Sequence, residues 1–168
     1  NWGRPDNAYR KRLQGQLVEL AAVAAASPQP VEIGAGYGEC AGVAVNRVIE
    51  SGPTDEQVGV VRIDSADGRP LAALVNYACH PVTLHGFHAL ITPDFPHVVR
   101  EEMREALGED AEVFYLNGAS GDLNPAGFVF GDADNAPAVC RHAGQALAEA
   151  ALHALARARS EQTGQLAC

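Results

Sequence analysis

Residues 58–81 read VGVVRIDSADGRPLAALVNYACHP, and this stretch decides the fold. Residues 58–63 are dense in β-branched side chains, as a strand requires. Asp67-Gly68 marks a turn, and residues 70–79 return as a second strand. Together they predict an antiparallel hairpin with a loop slightly longer than two residues. Residues 71–75 are continuously apolar, the pattern of a strand covered on both faces. At the end of that strand His80 meets Pro81, which forces the chain to turn.

On the N-terminal side, residues 6–26 predict a helix. Asp6 is its N-cap, Leu13, Leu17, Leu20, Ala21 and Ala24 recur at helical spacing, and Ser27, Pro28 and Pro30 stop it. Residues 31–38 form a glycine-rich strand and residues 43–49 a second one. On the C-terminal side, a helix is expected over residues 93–107, with Thr92 as cap, Pro93 at the first position and Gly108 closing it. Residues 112–116 are a short buried strand, followed by a glycine-rich loop at 117–125. A long alanine-rich helix covers roughly 135–159. This order predicts an α/β or α+β chain, a mixed β-sheet with packed helices. The hairpin argues against a purely parallel sheet.

The 168 residues suffice for one domain with a sizeable core, and 47% hydrophobic with 20% charged residues is an ordinary globular mix. Twelve basic against 21 acidic residues leave a net charge of −9. Such a chain repels phosphate backbones and anionic headgroups, so nucleic acid is excluded as a partner class. The apolar run at 20–26 is far too short for a transmembrane segment, which needs about 20 residues. A first residue of Asn1, not Met, is the expectation for a fragment, a processed product or an incomplete gene. Cys40, Cys79, Cys140 and Cys168 form no C-x-x-C pair, which argues against a cysteine zinc knuckle. Cys79 reads as a small buried side chain.

Three segments carry candidate chemistry. Gly34-Ala35-Gly36-Tyr37-Gly38 departs from a dinucleotide fingerprint, because Glu39 stands where the third glycine belongs. A glycine-rich strand is the better reading. Gly118-Ala119-Ser120-Gly121-Asp122 departs from a nucleophile elbow at Asp122. A strand does precede it, so Ser120 stays a candidate nucleophile. His80, at a strand end, is a candidate metal ligand or a histidine satisfied by a core hydrogen bond. His85, His88 and His97 lie nearby in sequence, but H-E-x-x-H is absent and their spacing fixes no common face. His97 reads as surface or supporting, and His142 and His153 as packing or surface residues.

Residues 76–125 resemble the neutral ceramidase family, including its shorter bacterial relatives. Three motifs carry the resemblance: Asn76-Tyr77-Ala78-Cys79-His80-Pro81-Val82-Thr83, then Ile91-Thr92-Pro93-Asp94-Phe95-Pro96, then Phe114-Tyr115-Leu116-Asn117-Gly118-Ala119-Ser120-Gly121-Asp122-Leu123-Asn124-Pro125. Val45-Asn46-Arg47 fits a further Asn-Arg element upstream. The resemblance implies a partial catalytic domain over residues 1–168, an incomplete piece of a larger zinc hydrolase domain. The family hydrolyses a linear amide with one zinc ion, which activates water and polarises the carbonyl. Its ligands are two His, one Glu and one Tyr. Only the second His maps here, onto His80; the others fall outside the chain. Asn124, Asp122 and Ser120 become candidate catalytic residues, with Asp94 expected to orient His80 or another polar group. Where the ceramidases carry a catalytic serine, this chain has Asn124. Asn cannot supply an alkoxide, but it can donate a hydrogen bond to an oxyanion. That turns the expected substrate from ceramide itself toward a related lipid amide or ester. The family is often secreted or periplasmic.

Two other functions compete. One is a non-catalytic remnant or binding module that keeps the fold without the metal. The other is a serine esterase using Ser120. Zinc content and chelator sensitivity separate the first reading from both.

Overall fold

The computed structural model describes residues 6–84 and 91–161. Two compact units divide at Pro30 and Val31. The first contains helix α1, Asn7–Ala25. Asp6 caps it as expected, accepting a 3.0 Å hydrogen bond from the Tyr9 amide. None of its residues is buried.

The second unit carries strands β1 (Val31–Glu39), β2 (Ala44–Asn46), β3 (Gln57–Ser65), β4 (Pro70–Tyr77), β5 (Glu112–Asn117), β6 (Leu123–Pro125) and β7 (Arg159–Glu161). Helix α2 (Phe95–Leu107) lies between β4 and β5, and helix α3 (Ala136–Arg157) precedes β7. Five strands form a sheet in the order β5-β4-β3-β1-β7, and β2 pairs with β6 apart from it. The hairpin of residues 58–79 is present: β3 pairs antiparallel with β4, with a register shift between Ile63 and Asp64. Its turn closes through Gly68, at φ +83°, whose amide bonds the Ser65 carbonyl at 2.8 Å. A side chain is strained there, and glycine is not. β4 and β5 are parallel, from Ala72↔Glu112 to Tyr77↔Asn117. The sheet is therefore mixed, with α2 crossing between two strands that end at one edge.

Both helices cover the same sheet face. Val58, Val60, Ala73, Val75, Tyr77 and Val113 are buried from the sheet; Phe95, Val99 and Met103 from α2; Leu147, Ala151, Ala154 and Leu155 from α3. Each large apolar side chain in this core contributes roughly 1.5–3 kcal/mol relative to exposure. The Gly36 and Gly38 positions explain the glycine-rich strand. A Cβ at Gly36 would lie 3.2 Å from the Ala154 carbonyl oxygen, and one at Gly38 would lie 3.1 Å from that of Ala150. The alternate glycines let alanine-rich α3 sit close on β1, so no nucleotide loop is needed to explain them.

Two expectations are corrected. The apolar run at 71–75 is not covered on both faces. Ala73 and Val75 are buried beneath the helices, whereas Ala72 and Leu74 are half-buried on the other face, beside Phe114 at 51% exposure. Helix α2 starts at Phe95, not Pro93, and its cap is Asp94, not Thr92. Asp94 takes φ 59° and ψ −152°, outside the helical region, so the helix opens only after it. The Thr92 hydroxyl instead accepts from the Asp94 amide at 3.0 Å. The strands β6 and β7 were not expected, because three-residue strands leave no periodic signal.

Candidate active site

The parallel pairing of β4 and β5 sends two chain segments out of one sheet edge. After β4 come Ala78, Cys79 and His80; after β5 comes the loop that ends in β6. Hydrogen bonds sew these together. The Gly118 amide donates to the Tyr77 carbonyl at 2.8 Å, and the His80 amide donates to the Leu123 carbonyl at 2.9 Å. The first bond brings the start of the loop against β4, and the second brings its end against His80. A Cβ at Gly118 would lie 3.1 Å from the Ala78 backbone, so glycine permits this approach. His80 is half-buried.

Within the loop, Ser120 is buried and its hydroxyl accepts from Asn117 Nδ2 at 3.0 Å. Among the described residues no histidine hydrogen-bonds to Ser120, so a serine–histidine pair is not formed there. The Asp122 carboxylate accepts from Asn46 Nδ2 at 2.8 Å. Asn124 lies on β6 opposite Val45 of β2. Its Oδ1 is buried and has no hydrogen-bond partner among the described residues. A buried acceptor left unpaired costs about 1–3 kcal/mol, so it marks a place where a donor is expected.

Asp94 is buried and spends its carboxylate locally. Oδ1 accepts from the Thr83 hydroxyl at 2.7 Å and from the Phe95 amide at 2.8 Å; Oδ2 accepts from the Leu84 amide at 2.8 Å. Asp94 thus holds Thr83 and Leu84, three and four residues beyond His80, and makes no bond to His80 itself. Sequence reasoning missed Thr83, whose buried hydroxyl follows the His-Pro turn. Burial, with the Asp94 charge second, pushes the Cys79 thiol up to about 12. Cys79 is therefore a neutral packing group beside His80. Burial also raises the Tyr77 hydroxyl, which donates to the Cys40 carbonyl at 3.0 Å.

His97, His142 and His153 are exposed on α2 and α3. His85 and His88 lie outside the described residues. Among the described residues no group of three or more His, Cys, Asp or Glu side chains could hold a metal ion. His80 alone does not make the four-coordinate shell that zinc prefers. These residues by themselves do not fit a complete zinc site. No described helix is long and apolar enough to cross a membrane.

The chain shares its fold with a segment of the ceramidases. It superposes on the crystal structure of neutral ceramidase from Pseudomonas aeruginosa with a TM-score of 0.74 at 21% identity, covering 88% of this chain and 26% of that one. A ceramidase complexed with C2 gives 0.72 at 20% identity, covering 84% and 25%. The chain spans about a quarter of the length of these solved chains. No protein-family model and no curated protein matches it.

Proposed function

We propose that this chain carries part of the active site of a zinc-dependent amidohydrolase that cleaves the linear amide of a ceramide-like N-acyl lipid or a related substrate. The observation that carries the reading is the bond from the His80 amide to the Leu123 carbonyl, next to the unpaired Oδ1 of Asn124. It joins the strand-end histidine to the loop in a chain with a ceramidase-like fold. In this reading His80 is one zinc ligand, and the remaining ligands come from polypeptide outside this chain.

The protein groups have their own tasks. Asn124 helps hold the substrate amide or its oxyanion: its Nδ2 donates to the carbonyl oxygen as charge develops there. Asp122 and Ser120 belong to the same loop, with Asp122 held by Asn46 and Ser120 by Asn117. Asp94 supports the segment behind His80.

The test is Asn124→Ala in the full-length enzyme. Loss of a donor to a developing oxyanion lowers kcat by roughly 10²–10³. The expected result is that loss with zinc content unchanged. Unaltered turnover would reduce the loop to a structural element.

A further inference from the structure

The Asn46 side chain makes four hydrogen bonds, the full capacity of a carboxamide. Its Oδ1 accepts from the Val48 amide at 3.0 Å and the Ile49 amide at 2.9 Å. Its Nδ2 donates to the Pro53 carbonyl at 3.1 Å and to Asp122 Oδ2 at 2.8 Å. The next residue continues the grip. The Arg47 amide donates to the Asp122 carbonyl at 2.8 Å, and Arg47 Nη2 donates to the Gly121 carbonyl at 2.9 Å. With His80 on the Leu123 carbonyl, three successive loop carbonyls are held, two by Arg47 and one by His80. Asn124 follows directly.

We infer that Asn46 is a positioning residue. Through Asp122 it fixes the loop so that Asn124 stands at a set distance from His80. Asp122 then acts as the acceptor of this clasp and not as a free general base. The inference rests on the amidohydrolase reading for its consequence in catalysis, but the clasp itself is a property of the chain. The two ends of the Asn46 carboxamide separate its roles. Oδ1 closes the local turn at residues 48 and 49. Only Nδ2 reaches the loop, across 76 residues of sequence.

That division permits an exchange test. Asn46→Asp keeps both acceptor bonds of the turn and sets a carboxylate against Asp122. Two carboxylates at one site repel, and one takes up a proton well above its ordinary pKa. The double variant Asn46→Asp with Asp122→Asn reverses donor and acceptor and restores the bond to residue 122, while the bond to the Pro53 carbonyl is lost equally in both variants, so the difference between them reports the clasp alone. The measurement is hydrogen-exchange protection of the Arg47, His80 and Leu123 amides in the chain, together with kcat in the full-length enzyme.

The expected result is a protection loss of about 10–100-fold in Asn46→Asp at neutral pH, the cost of a charge-assisted hydrogen bond. Protection should return as pH falls through the acid range and in the double variant at neutral pH, and kcat should follow it while KM changes little. An equal loss in the single and double variants would overturn the clasp, because Asn46 would then serve only its turn. Restored protection without any change in turnover across the series would leave the clasp standing and overturn its catalytic role.

Discussion

Asp94 sits at φ 59° and ψ −152°, backbone that a non-glycine residue adopts at a cost of about 1–3 kcal/mol. Three donors to its carboxylate offset that strain. Asp94→Ala keeps the strain and loses all three bonds, so unfolding should become easier by roughly 2–4 kcal/mol. Asp94→Gly loses the same bonds and relieves the backbone, so it should fall about 1 kcal/mol or more short of the alanine loss. Chemical denaturation of both variants checks this; equal stability would show that the backbone is unstrained. The importance of Asp94 was legible in the sequence, at the start of a helix. Its partner was not, because Thr83 lies 11 residues away across a turn. Asn46 shows the same limit: its own turn is local, whereas Asp122 is distant in the chain.

The β3–β4 hairpin was readable because a turn signal and two apolar strands lie next to each other in sequence. The parallel pairing of β4 with β5 was only a condition on which the site depended, and it holds. The pairing of β2 with β6 left no local trace. Close packing of the helices also has a sequence cost. A Cβ at Gly144 would lie 2.4 Å from Val98 Cβ and 3.0 Å from the Phe95 carbonyl oxygen. Gly144→Ala should therefore destabilise the chain by about 1–3 kcal/mol, despite the better helix propensity of alanine. Gly15, in exposed α1, has nothing within 4 Å of such a Cβ. Gly15→Ala should strengthen its helix by up to about 1 kcal/mol. Thermal melts of the two variants check the contrast, and a stabilised Gly144→Ala would mean that α2 and α3 separate at little cost.

At the scale of the molecule, the chain holds one strand-end histidine and one polar loop from what is proposed as a larger site. Purified alone, it should bind zinc weakly and show no amidase activity, because one imidazole does not fill a zinc coordination shell. Calorimetry with zinc and an assay with a ceramide analogue check this; tight stoichiometric zinc with turnover would refute it. The ceramidase-like fold was legible through short motifs in a fixed order, and the polar partners that align those motifs became visible only in three dimensions. The central claim is that His80 and Asn124 serve one site. It is tested most directly by titrating the full-length zinc-loaded protein with a soluble short-chain N-acyl amide while following the His80 ring and the Asn124 side-chain amide by NMR. The account predicts that both signals shift along one saturation curve with a common Kd. Movement of only one of them, or shifts confined to the groove lined by Tyr37, Glu39 and His153, would contradict it.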